Sequence, residues 1–187
     1  MQLTAGFEVL DCRFSYFYGM IIRLATITDI PGIMRVINEV VPLMRSSGNF
    51  QWDDTYPNAA AFEDDIAVGQ LWVADAGGDI AGVTAITTEQ YPEYADVGMD
   101  INETAIVTHR LAVSTRYRGQ GIAALLLQQA EEVAISSSIK TLRIDTNTAN
   151  EATNRLFPKL GYVFAGEIGL HFRPGLRFYC YEKRLDI

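Results

Sequence analysis

The segment "RYRGQGIAALLL" sets Arg116, Arg118, Gly119 and Gly121 directly ahead of a leucine-rich run. Glycines let the backbone approach a ligand closely, and a helix starting just beyond them aims its first N–H groups and positive dipole end at the same point. Two guanidiniums add formal charge. Such residues suit a phosphate, and three kinds of phosphate loop compete for them. A nucleoside-triphosphate loop needs a lysine and a hydroxyl residue after its last glycine, where this chain has Ile122 and Ala123. The dinucleotide fingerprint fits "GQGIAA", and Asp145 lies downstream. In that motif, however, the first glycine follows its strand almost directly. Here "STRYR" intervenes, and too little chain follows Gly121 for a doubly wound sheet. The third pattern, Q/R-x-x-G-x-G/A, uses Arg116 as well as the glycines. Against all three stands the plain alternative that the arginines are surface residues and the glycines only turn the chain.

Patterning supplies the elements that must position this loop. An apolar strand is expected over 21–26, followed by a helix that Asp29 caps and Pro31 starts. Ile30, Ile33, Met34, Ile37, Val40, Val41 and Met44 follow at helical spacing, with Pro42 kinking or ending the helix near its last turn. A loop "SSGNFQWDDTYPN" leads to a second helix over 60–67, and "QLWVAD" and "IAGVTAI" form a hairpin across "AGGD". The strand before the loop spans 105–113 and the helix after it 121–134. Then come the strand "KTLRID", a helix over 150–160 stopped by Gly161, and two closing strands, "YVFAGEI" and "RFYCYEKRL". This order predicts an α/β fold: one mixed sheet with helices on both faces.

With 187 residues the chain is long enough for one well-buried core over 20–187. Its net charge of -8 argues against nucleic acid as a partner, since that needs basic surface, and suits a cationic small substrate or mere solubility. No apolar run approaches the ~20 residues that span a bilayer. Cys12 and Cys180 read as free thiols of a cytoplasmic protein, or as one disulfide, and no metal-site spacing is present. Residues 1–19 differ in texture from the rest, and Glu8 and Asp11 break any signal-like apolar centre. They read as an extension outside the domain, or as an extra edge strand or the arm of a homodimer.

A second segment, "NTANEATNRLFPKLGY", matches N-x-x-N-x-x-A-x-x-L-Y-x-K-x-G-F/Y at Asn147, Asn150, Leu156, Lys159, Gly161 and Tyr162, with Thr153 in place of alanine. With both segments in this order on these elements, the chain over about 20–187 resembles the GNAT superfamily of N-acetyltransferases. The resemblance implies that acetyl-CoA (coenzyme A) is the cofactor and a small-molecule or peptide amine the acceptor. It places the diphosphate against Arg116, Arg118, Gly119, Gln120, Gly121, Ile122 and Ala123. The pantetheine arm would lie along Leu111, Ala112 and Val113, in a slot where that strand parts from "KTLRID", with Asn150, Phe157 and Lys159 on its far side.

Two departures bear on mechanism. Relatives often carry a glutamate on the strand before the loop, and the comparable position is near Val107. His109 lies two residues on, on the face of Val107, Leu111 and Val113 if the strand is regular, and is the candidate base, with Glu103 second. The competing view makes His109 a packed strand residue. Phe157 stands where many relatives have a proton-donating tyrosine. A non-catalytic acyl-CoA sensor is therefore the rival to direct acetyl transfer. For the acceptor, Trp52, Asp53, Asp54, Tyr56, His171, Phe172 and Arg173 are either ammonium-binding groups or loop anchors and solvated charges.

Overall fold

The computed structural model describes residues 19–187. The extension 1–19, except for Gly19, and Cys12 with any disulfide it makes therefore lie outside the described residues. Seven strands form one sheet: β1 (Ile21–Leu24), β2 (Leu71–Asp75), β3 (Ile80–Thr87), β4 (Ala105–Val113), β5 (Thr141–Asn147), β6 (Val163–Ile168) and β7 (Phe178–Arg184). Their order across the sheet is β1-β2-β3-β4-β5-β7-β6. Every neighbouring pair is antiparallel except β4 and β5, which α3 (Ile122–Ser136) joins in parallel.

Helices α1 (Ile30–Ser46) and α2 (Ala59–Ala67) cover one face of the β2–β4 half. Ile33, Val36 and Phe62 pack there on Val73, Val83, Ala85 and Ala112. On the opposite face, α3 and α4 (Glu151–Lys159) close over Ile106, Leu142 and Ile144 through Leu127, Ala130 and Phe157. A third cluster joins Tyr94, in the 3-10 helix Pro92–Val97, to Val107, Ile168, Phe178 and Cys180. The mixed sheet with helices on both faces is as expected.

Local chemistry sets the helix ends, in places differently from the sequence reading. Asp29 does not cap α1: its carboxylate turns back to the Thr26 N–H at 2.7 Å and to Arg23 at 2.7 and 2.8 Å. That bonding, led by Arg23, holds its pKa down to about 2. Pro42 does not end α1, which runs on to Ser46. Pro42 and Asn38, whose carbonyl loses its partner, are both exposed, so water can take that bond while Val40 and Val41 stay buried. Pro158 lies inside α4, within the helix expected over 150–160. Gly161 is the stop: at φ 83 it lets its own N–H reach Pro158 O at 3.2 Å and the Tyr162 N–H reach Phe157 O at 3.1 Å, a Schellman pair.

Candidate active site

The site begins where two strands separate. β4 and β5 pair from Ala105↔Thr141 to Thr108↔Ile144 and no further, so His109–Val113 has no strand partner on the β5 side. β4 is also irregular there. His109 faces Ala85 and Ala112 faces Val83, so one extra residue is inserted, and Arg110 takes φ 54. Arg110 is fixed by side-chain bonds: Asp65 accepts from its Nε and Nη2 at 2.8 and 2.6 Å, and Tyr56 Oη from Nη1 at 3.0 Å.

This bulge overturns the expected face of His109. Leu111 and Val113 pack toward Ile122 and Leu126 on the α3 side, whereas Val107 and Ala112 belong to the clusters of the opposite face. His109 goes with Val107 and Ala112, against the ring of Tyr91 at 5.3 Å. Its Nε2 lies 3.2 Å from Glu89 O, which can only accept, so that nitrogen carries the proton and Nδ1 is left with a lone pair. Burial lowers its pKa to about 4. Glu103 is removed from the candidates: it lies before the other end of β4, held by Arg184 at 2.6 Å and Thr141 at 2.8 Å.

The loop after β4 is anchored from both sides. Glu39 of α1 accepts from Ser114 Oγ at 2.8 Å and the Thr115 N–H at 3.3 Å, and the Ser114 bond leads in lowering its pKa. Asp79, in the β2–β3 turn, holds Tyr117 Oη and Arg116 at 2.9 Å each and Arg35 at 2.6 Å. Arg116 is thereby turned away from the slot, and Gln120 and Lys159 also lie outside it, exposed. Gly119 and Gly121 adopt φ 77 and 78, and a Cβ at either would project into open space. Gly121 caps α3, whose free N-terminal amides adjoin exposed Arg118.

One cleft of about 960 Å³ connects these parts. Leu111, Ala112, Val113, Arg118, Gly119, Gly121, Ile122 and Ala123 line it, as do Asn150 and Phe157 from the α4 side. Three further contributors were not expected at this site. Thr108, where the strands part, is 3% exposed, and its hydroxyl has no hydrogen-bond partner among the described residues. Thr146 shares a hydrogen bond with Thr153 at 2.9 Å and accepts from Asn150 Nδ2 at 3.1 Å. Asp145 faces Tyr94 Oη at 2.6 Å, and burial raises its pKa to about 6. In the sequence it enters only as the acidic residue downstream of the dinucleotide fingerprint, near the end of an apolar strand.

At the far end Tyr56, Tyr91, His109, Arg110, Phe172 and Arg173 line the same cleft. Trp52 also lines it but is 4% exposed and packs into the α1–α2 core. Asp53 is a loop anchor: Thr55, the Tyr56 N–H and Arg173 bind it, and bonds from Thr55 lead in lowering its pKa to about 2. Asp54 and His171 stand outside the cleft, and His171 meets Glu93 at 2.7 Å.

A family model described as Acetyltransferase (GNAT) family matches residues 37–162. An acetyltransferase of the GNAT family from Streptococcus agalactiae superposes with TM-score 0.77 and 31% identity, over 92% of this chain and 99% of that one. A structure from Salmonella typhimurium, described with its cofactor acetyl-CoA, shares the fold at TM-score 0.66 and 19% identity, over 90% of this chain and 95% of that one. The uncharacterized N-acetyltransferase YesJ of Bacillus subtilis is 38% identical over 69 residues, 37% of this chain and 38% of its own length. The N-acetylaspartate synthetase of Xenopus tropicalis is 24% identical over 113 residues, 60% of this chain and 38% of its own. The chain thus spans about two fifths of the length of these curated relatives.

Proposed function

The chain belongs to the GNAT acetyltransferase family, and on that premise we propose that it transfers an acetyl group from acetyl-CoA directly to an amine of a small molecule or peptide. One observation supports this above the rest: an open strand edge, a two-glycine loop and a helix N-terminus adjoin in a single cleft. The donor set suits coenzyme A. Amides of Gly119 and of Gly121 to Ala123 can take a diphosphate with the α3 dipole behind them, while Arg118 supplies charge at the rim. The free edge from Leu111 to Val113 can bond an extended arm as a neighbouring strand would. The Thr108 hydroxyl, without a partner among the described residues, is a polar group that the arm can engage.

When bound, acetyl-CoA supplies an acetyl group activated as a thioester. The protein's part is to orient it, exclude water and move protons. A β4 N–H aimed at the thioester oxygen is worth ~3–4 kcal/mol when held in place beforehand. Phe157 cannot donate a proton, but a thiol of pKa ~8.5 leaves readily enough for acid help to be optional. His109, neutral at physiological pH, offers Nδ1 to orient the incoming amine and is too weak a base to hold its proton for long.

Calorimetry with acetyl-CoA tests the cofactor site. The wild type is expected to bind, and Gly119→Asp to abolish the heat, because it sets a negative charge at the diphosphate and a side chain at φ 77. No heat from the wild type would end the proposal. Thiol release across a panel of amines then separates enzyme from sensor: binding without amine-dependent thiol would favour the sensor.

A further inference from the structure

We propose that Asp145 is the group that takes the proton from the acceptor's ammonium, an assignment that rests on the acetyl-transfer reading above. Val107 pairs with Arg143 and Thr108 with Ile144. The next residue on each strand along the Val107–Arg143 face is His109 on β4 and Asp145 on β5, the first pair left apart by the fork. Asp145 is therefore at the crotch of the slot, on the face opposite α3 and α4, beside the aromatic end of the cleft that it helps to line.

Its surroundings fit a base better than a structural anchor. Tyr94 Oη donates to Oδ1 at 2.6 Å, while Oδ2 accepts no side-chain hydrogen bond among the described residues. Among the described residues no cation pairs with it, unlike Asp65 with Arg110 or Asp53 with Arg173. Tyr94 and Tyr91 flank it from the 3-10 helix and the residues before it. His109 and Arg110 belong to β4, Cys180 to β7, and Arg143 to β5 itself. Burial raises its pKa to about 6, so at neutral pH it is ionised yet holds a proton more firmly than an ordinary carboxylate. The carboxylate absent at Val107 on β4 is thus supplied across the fork by β5.

One proton passes from the ammonium nitrogen to Asp145 Oδ2. The freed nitrogen lone pair forms the N–C bond to the acetyl carbon as the C–S bond breaks, its electron pair leaving on sulfur. A second nitrogen proton goes through solvent to that sulfur, giving the amide and free thiol, and Asp145 returns its proton to water.

The test combines a titration and a rate. Carbon-13 NMR of aspartate-labelled protein, without acetyl-CoA, is expected to show one carboxyl titrating near pH 6 that disappears in Asp145→Asn. Calorimetry should give both proteins the same acetyl-CoA affinity within about twofold, and absent heat from the wild type would fault the transfer reading rather than this one. Thiol release is then followed with ethanolamine, glycinamide, lysine and a tripeptide, or to water at high enzyme concentration if none is taken. Asp145→Asn should lose on the order of 100-fold in kcat, and the ascending limb of the pH profile should go with it. Asp145→Glu should restore part of both. Asn can still accept from Tyr94, so a merely structural Asp145 would leave the rate and the limb unchanged. That result, or a signal that Asp145→Asn removes but that titrates below pH 5, overturns the assignment.

Discussion

At the scale of single residues, a buried hydroxyl with nothing to bond is a burden on the fold. Among the described residues, Thr108 is such a residue. Thr108→Val keeps the branched shape and removes the unsatisfied oxygen, so urea unfolding should show the variant more stable by about 1 kcal/mol. If that oxygen serves the cofactor, acetyl-CoA affinity or turnover should fall in the same protein. A variant that is less stable would mean that Thr108 already has a partner, and the expectation fails. The sequence passes over Thr108 and offers Asp145 only to a dinucleotide reading, because their meaning depends on where two distant strands stop pairing. The opposite holds for Arg116, whose charge was legible but whose direction was not: Asp79, from the β2–β3 turn, draws it away. Hydrophobic patterning cannot reveal such a pairing.

At the scale of elements, the bulge in β4 is the feature that most shapes the slot. Strand periodicity located β4 to the residue, yet it assumed regular alternation and so placed His109 on the wrong face relative to Leu111 and Val113. An arginine at φ 54 is unfavourable by itself and persists because its guanidinium is tied to α2 and to Tyr56. Asp65→Ala would leave that guanidinium half-buried without its counter-charge, a loss of about 3–5 kcal/mol for a buried pair. Chemical denaturation should register it. The same variant should bind acetyl-CoA more weakly, since relaxing Arg110 shifts the edge that Leu111 and Val113 present. Full stability would mean that the backbone holds the bulge unaided. Pro42 shows the same limit of sequence reading: it marks a helix end by local chemistry, but tertiary packing carries α1 past it to Ser46.

At the scale of the whole molecule, the sheet consists of two halves, β1–β4 and β5–β7, joined by the few pairs between Ala105↔Thr141 and Thr108↔Ile144. The order of elements made a mixed sheet legible, but how far two parallel strands stay paired is decided by the bulge and by α3 and α4 wedged over the fork. A ligand arm in that fork would act as a strand shared by both halves. Acetyl-CoA should therefore slow amide hydrogen exchange not only at 118–123 but also along 109–113 and near 145–150. Ligand at a hundred times its Kd adds about 2.7 kcal/mol, which for a chain of this size raises Tm by roughly 5–10 °C. In Gly119→Asp both the exchange protection and the Tm shift should vanish together. Protection confined to the glycine loop, with the strands exchanging as before, would mean that the diphosphate is gripped but nothing fills the fork, and direct transfer would lose its geometric basis.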